Sequence, residues 1–176
     1  MKNFISLLIV LFGLVFSNVY AQDEPEQSKV NIGLGFGLDY GGIGGRLTVL
    51  PHKNFAAFGA VGYNLFELGF NLGIQARLLP DAGICPTIGA MYGYNGVIVV
   101  KGAEQYNKTY YGPSFSFGLE FKSNRNPKNY SNVEILLPIR PSQYKKDFED
   151  LQNNPAISFE SKPLPIGISF GFHFGL

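Results

Sequence analysis

Six ionisable side chains stand out in a chain that is otherwise poor in charge. Only 15% of its 176 residues are Asp, Glu, Lys or Arg. The six occur where apolar and small residues alternate, on the side that carries the small or polar groups. They are Asp39, Arg46, Arg77, Glu120, Glu134 and His173. Together such groups could transfer protons, conduct ions or pair with one another. We favour a structural network, because a buried charge requires a partner.

The segments that carry these residues alternate with a period of two, which is typical of β-strands. From Val30 to Tyr40, bulky apolar residues alternate with Gly, Asn and Asp. The pattern recurs and predicts eight strands. Their expected ranges are 30–40, 45–50, 55–64, 68–78, 87–94, 114–121, 132–139 and 166–176. In segment 55–64 both sides are small and apolar, so its orientation stays open.

The connections between the strands differ in length at the two ends. Short polar turns at 51–54 and 80–83 and a slightly longer one at 123–129 share one end. The longest loops, 95–109 and 140–162, share the other. Short periplasmic turns and longer extracellular loops are the plan of an outer-membrane barrel. In the second loop, Tyr144, Phe148 and Leu151 have helical spacing, with Ser142 as the expected N-cap.

The direction of the bulky side chains decides between a membrane barrel and a soluble one. An eight-stranded barrel has room for little more than packed side chains, so rows of Phe and Leu would overfill it. We therefore predict an all-β, antiparallel, up-and-down transmembrane barrel with its apolar side in lipid. Aromatic girdles are expected at the two interfaces. Their expected members are Tyr40, Tyr63, Tyr92 and Tyr94 at the loop end, and Phe55, Phe121 and Phe174 at the turn end.

This topology also divides the six ionisable residues between two levels of the lumen. We expect Asp39 and Arg46 to lie close together near the outer end. The other four, Arg77, Glu120, Glu134 and His173, are expected in the periplasmic half.

The first residues have the features of a secretory signal peptide. Lys2 precedes an apolar run from Phe4 to Phe16, and small residues precede Ala21. The run is shorter than the roughly 20 residues of a spanning helix. We predict a cleaved signal peptide at residues 1–21, a periplasmic tail at 22–29 and a barrel domain at 30–176.

The signal peptide, the eight alternating segments and the end of the chain resemble small Gram-negative outer-membrane proteins of the OmpA/OmpX shape. The resemblance implies location in the cell outer membrane, contact with its lipid and insertion by the barrel-assembly machinery, which reads the final strand. Gly171, Phe174 and Leu176 fit the Gly-x-x-apolar-x-apolar form of that assembly signal, with Leu in place of the usual terminal aromatic residue. The resemblance implies a fold and a cellular location, but it implies no specific activity.

We therefore expect a non-enzymatic monomer that serves envelope structure or surface recognition through loops 95–109 and 140–162. The alternatives are a narrow pore, an outer-leaflet lipid-modifying enzyme and a secreted lipocalin-like carrier. His52 and His173 are the two histidines, and both are expected on the periplasmic side, away from outer-leaflet substrates. One cysteine and two histidines predict no metal site and no cofactor. A net charge of +1 predicts no attraction for nucleic acid.

Overall fold

A computed structural model describes residues 28–100, 102–154 and 164–176 of the chain. The expected signal peptide and residues 22–27 of the expected tail lie outside these ranges. The strands are β1 (Val30–Gly37), β2 (Gly42–His52), β3 (Phe55–Tyr63), β4 (Leu68–Arg77), β5 (Ile84–Ile98), β6 (Lys108–Lys122), β7 (Tyr130–Pro138) and β8 (Gly167–Gly175). Within the described ranges one α-helix, α1 (Ser142–Gln152), precedes β8.

The eight strands form a closed barrel in sequence order. Each strand pairs antiparallel with the next, and β1 pairs with β8, where Gly33 lies opposite His173. Closure leaves no free sheet edge, so the strand N–H and C=O groups have partners within the barrel. The predicted all-β, up-and-down antiparallel class is confirmed.

The bulky apolar side chains point outward and the small or polar ones inward. Leu34, Leu72 and Ile168 are each more than half exposed, whereas Asn71 and Ser169 are buried beside them. The predicted direction of the alternation is therefore confirmed. In β3, whose orientation the sequence left open, Ala56, Phe58 and Ala60 face the interior, and Val61 and Tyr63 face outward.

The first strand ends earlier than its alternation predicts. Residues Leu38–Tyr40 form a 3-10 turn, which is flanked by Gly37 and Gly41. The backbone φ angles of these two glycines are 134° and 73°, values that residues other than glycine rarely adopt. The turn lies against the inner side of the barrel wall, where a Cβ on Gly69 would be 2.7 Å from the Gly41 carbonyl oxygen. The absence of side chains on this part of the wall therefore makes room for a backbone turn inside the barrel.

This turn corrects part of the expected outer girdle. Tyr40 is completely buried in the lumen, and Tyr94 is only 9% exposed. Their assignment to the girdle was wrong, because the backbone leaves regular strand geometry near each residue. Tyr63 and Tyr92 are exposed, as are all three phenylalanines expected at the turn end.

The longest strands are β5 and β6, with 15 residues each. They reduce the expected loop 95–109 to residues 99–107. A bulge at Asn95 shifts the register, so that Tyr94 pairs with Tyr111 but Gly96 pairs with Tyr110. Since a membrane-spanning strand needs only about 9–11 residues, the hairpin extends beyond the barrel wall.

The helix expected in the second long loop forms over Ser142–Gln152, and Tyr144 and Leu151 are its buried residues. Its N-cap is Pro141, and no side chain caps it, so the expected cap at Ser142 was wrong. Among the described residues, no helix is long and apolar enough to cross a membrane.

Candidate functional site

The centre of the barrel interior is occupied by the guanidinium group of Arg46. Its Nη1 donates to Asp39 Oδ2 at 2.9 Å and to Glu134 Oε1 at 3.2 Å, and its Nη2 donates to Gln75 Oε1 at 3.0 Å. The ring centroid of Phe58 lies 3.6 Å from the guanidinium carbon, a cation–π contact. These charged side chains are 1–2% exposed. Every charge in this cluster therefore has an opposite charge within hydrogen-bond distance.

A second ion pair lies nearer the short turns. Arg77 Nε donates to Glu120 Oε2 at 2.8 Å, and Arg77 Nη1 donates to the Lys53 carbonyl at 3.1 Å. We expected Glu134 in the periplasmic half of the lumen with this pair, but its carboxylate contacts Arg46 instead. Strand order alone cannot reveal this partner, because the long Arg46 side chain reaches across the lumen from β2 to β7.

The third part of the interior is a set of rings around His173. Its Nε2 lies 2.7 Å from Tyr40 Oη and 3.2 Å from Asn132 Oδ1. Its ring stacks on Tyr130 at 4.3 Å between centroids. A Cβ on Gly171 would overlap the Tyr40 hydroxyl. The sequence analysis did not predict that Tyr40 lies in the lumen. The glycines that face its ring, Gly35 and Gly171, were a signal that a large side chain occupies this space.

The six ionisable residues singled out in the sequence are thus all buried in the lumen, at no more than 4% exposure each. They form two charge clusters and one hydrogen-bonded ring set. Asn132 links the Arg46 cluster to the rings, because its Nδ2 donates to Glu134 Oε1 at 2.9 Å while its Oδ1 lies 3.2 Å from His173 Nε2. Such pairing can rigidify the interior and fill it. In the three described ranges, no group of three or more His, Cys, Asp or Glu side chains could hold a metal ion.

A separate structure stands at the loop end of the barrel. We call it the outer platform, and it consists of the ends of β5 and β6, the loop between them and α1. Ile98, Val100 and Tyr110 of the hairpin form an apolar cluster with Tyr144 and Leu151 of α1. The rings of Tyr110 and Tyr144 meet edge to face at 5.0 Å. The helix is therefore docked on the hairpin by its apolar face.

One carboxylate joins the two halves of the outer platform. Asp147 of α1 accepts hydrogen bonds from Lys108 Nζ at 2.7 Å and from Tyr110 Oη at 2.8 Å. Gln143 Nε2 donates to its other oxygen. The hydrogen bonds from Lys108 and Tyr110 hold the pKa of Asp147 below its ordinary value. The link is strongest while Asp147 is ionised.

A cleft of about 310 Å³ opens between the hairpin tip and α1. Its lining combines two tyrosines, a lysine, side-chain amides and carboxylates with one leucine. The lining residues are Gln105, Tyr106, Asn107, Lys108, Tyr110, Asp147, Asp150, Leu151 and Asn154. Val100 N donates to Asn107 Oδ1 at 2.7 Å and fixes the hairpin tip. This is a polar recess on a rigid support, as binding sites often are.

No protein-family model matches this chain, and no curated protein matches it. Among solved structures, the chain is similar to CarO2 of Acinetobacter baumannii. The two are 15% identical over 86% of this chain and 100% of that one, with a TM-score of 0.41.

Proposed function

We propose that the protein is a non-enzymatic β-barrel of the outer membrane that displays the outer platform for surface recognition. The observation that carries the proposal is the outward row of large apolar side chains on every strand. Soluble proteins rarely expose continuous apolar surface of this extent, whereas lipid requires it. Representative members are Ile32, Leu34, Leu47, Val61, Phe70, Leu72, Ile88, Phe115, Phe117, Ile135, Phe170 and Phe172, each at least 40% exposed.

The content of the lumen argues against a secreted lipocalin-like carrier. Such a carrier needs an apolar cavity for its ligand. Here Phe58, Met91 and Leu136 form the apolar cluster inside the wall, and they pack against one another and Leu38. The remaining described interior is rich in paired polar groups.

The same interior argues against a narrow pore for ions or small solutes. The Arg46 and Arg77 clusters and the inserted 3-10 turn lie across the lumen, so an ion would have to displace paired charges. We propose that this network has a structural role and that it closes the barrel. A large, steady conductance in a planar bilayer that is lost in Glu120→Ala would overturn this role.

An outer-leaflet enzyme is disfavoured by the positions of the two histidines. His173 is fully buried among Tyr40, Tyr130 and Asn132. His52 ends β2 at the short-turn end of the barrel. Neither can serve as a general base for a substrate at the loop end.

The resemblance to the OmpA/OmpX shape adds the route of insertion to the proposal. Phe174 and Leu176 face outward at 47% and 67% exposure, as residues read by an assembly machinery must. The position of Gly171 also requires a residue without a side chain, because a Cβ there would overlap the Tyr40 hydroxyl. We propose that the chain inserts as a monomer through the barrel-assembly machinery and contacts outer-membrane lipid.

Cell fractionation with a heat-modifiability gel tests the location. We expect the protein in the outer-membrane fraction, with a mobility that changes on boiling because a folded barrel resists detergent. Recovery in the soluble fraction without detergent would contradict the proposal.

Labelling of intact cells with a membrane-impermeant amine reagent tests the display of the platform. We expect Lys145 and Lys146, exposed on α1, to react. Lys128, in the turn before β7, should react only after the outer membrane is permeabilised. Equal reaction of both groups on intact cells would refute the orientation.

A further inference from the structure

We infer that the cleft of the outer platform binds a neutral carbohydrate. This inference rests on the proposed function, because it requires the platform to face the outside of the cell.

The cleft is held open by contacts that do not use the side chains of Gln105, Tyr106 or Asp150. The apolar cluster around Tyr144 docks α1 on the hairpin, and the 3-10 turn Glu104–Tyr106 shapes the opposite wall. In that turn Tyr106 N donates to the Ala103 carbonyl at 3.1 Å. A recess of about 310 Å³ has the size of a small-ligand site. It is large enough for one or two sugar rings.

Three polar side chains on the walls are available to a ligand. Gln105, Tyr106 and Asp150 make no hydrogen bond or ion pair with other described residues through their side chains, and Tyr106 is 41% exposed. The carboxylate of Asp150 can accept from two neighbouring hydroxyls, and the amide of Gln105 can both donate and accept. A sugar presents such pairs of hydroxyls around a ring.

The aromatic side chain supplies the other half of sugar recognition. The faces of a pyranose carry C–H groups, which are apolar and pack on a phenol ring, while the hydroxyls lie at the edge. Tyr106 offers an exposed ring in the lining, and Leu151 is the apolar residue of that lining. An amphipathic recess with amide and carboxylate groups at its edges therefore matches an uncharged sugar better than a lipid or an apolar drug.

Charge selects among sugars. Lys108 is already paired with Asp147 at 2.7 Å, and Asp150 adds a negative charge that has no ion-pair partner among the described residues. The described lining residues thus carry a net negative charge, which repels phosphorylated, sulfated or sialylated glycans. Two carboxylates are fewer protein ligands than a Ca²⁺ site normally supplies. A neutral glycan remains the ligand of best fit.

The test uses the mature protein in phosphatidylcholine nanodiscs, which carry no sugar, on an array of neutral, sialylated and sulfated oligosaccharides. We expect capture by neutral glycans, followed by a dissociation constant for the best one from calorimetry. Asp150→Asn and Tyr106→Ala should each weaken binding about tenfold, since each removes a main contact. Glu149→Gln, the same loss of charge one position away and outside the cleft lining, should leave it unchanged.

Several results would overturn the inference. They are no capture of neutral glycans, preferential capture of acidic ones, and equal weakening by Glu149→Gln and Asp150→Asn. Loss of binding in EDTA would also contradict it, because it would indicate a cation site. Each variant must show the heat-dependent gel shift of the folded barrel, and only folded variants are compared.

The lysine labelling of intact cells separates this inference from the proposed function. If α1 is labelled on intact cells and no neutral glycan binds, the carbohydrate inference fails and the surface barrel stands. If α1 is protected on intact cells, the proposed function itself fails.

Discussion

Arg46→Met gives the sharpest expectation about the barrel interior. The substitution keeps most of the side-chain volume but removes the charge that pairs with Asp39 and Glu134 at 2.9 and 3.2 Å. Both carboxylates then remain in a site where they are at most 2% exposed. Removal of one partner from a buried charge cluster costs about 3–5 kcal/mol. Glu134 keeps its bonds from Gln75 and Asn132, so Asp39 accounts for most of the loss.

The assay is urea unfolding from lipid vesicles, followed by circular dichroism and by the heat-dependent gel shift. Arg125→Met in an exposed turn is the matched control, and we expect it to change the free energy of unfolding by no more than about 0.5 kcal/mol. The triple variant Asp39→Asn, Arg46→Met, Glu134→Gln should recover at least half of the loss, because it leaves no unpaired charge. If Arg46→Met is no more destabilising than the control, or if the triple variant loses still more, the paired-charge account is wrong.

Three further expectations concern the wall, the platform and the lumen. Gly171→Ala places a methyl group on the Tyr40 hydroxyl and should destabilise the barrel by about 1–3 kcal/mol in the same urea assay. The control Gly45→Ala, whose added Cβ would have its nearest neighbour at 3.7 Å, should be close to neutral. Because the folded-state pKa of Asp147 is lowered, its link to Lys108 stabilises the platform above the ordinary Asp pKa and is lost as pH falls through the lower folded value. NMR shifts of α1 amides should report this transition, and Asp147→Asn should abolish it; an unchanged profile in the variant would assign the transition elsewhere. The wild-type barrel should give no large, steady current in planar bilayers, and a reproducible current of that kind would contradict a closed lumen.

The fold follows from the sequence because, in a narrow barrel, an alternation of bulky and small residues is compatible with only one orientation of the side chains, the small ones inside. Where Phe115 and Phe117 alternate with Ser114 and Ser116, only the serines fit inside. At Tyr40 the period continues in the sequence while the backbone turns inward, because Gly37 and Gly41 permit positive φ.

The sequence predicted which ionisable residues lie in the lumen, but it did not predict all of their contacts. Asp39 and Arg46 are close in the first hairpin and their proximity follows from strand order. The contact of Arg46 with Glu134 crosses the lumen and depends on side-chain length. The sequence predicted that loops 95–109 and 140–162 are recognition segments, but it did not predict the cleft between them, because the bulge at Asn95 shifts the register of the β5–β6 extension that meets α1.

The measurement that bears most directly on the membrane barrel uses nitroxide spin labels in lipid vesicles. Cysteine is introduced singly at Leu72, Phe117 and Ile168 in a Cys85→Ala background, with Lys145 on α1 as the aqueous reference. We expect the three outward strand positions to be relaxed by oxygen, which concentrates in hydrocarbon, and the helix position by a water-soluble nickel complex. If the strand positions respond to the nickel complex as strongly as Lys145 does, their side chains lie in water and the account fails.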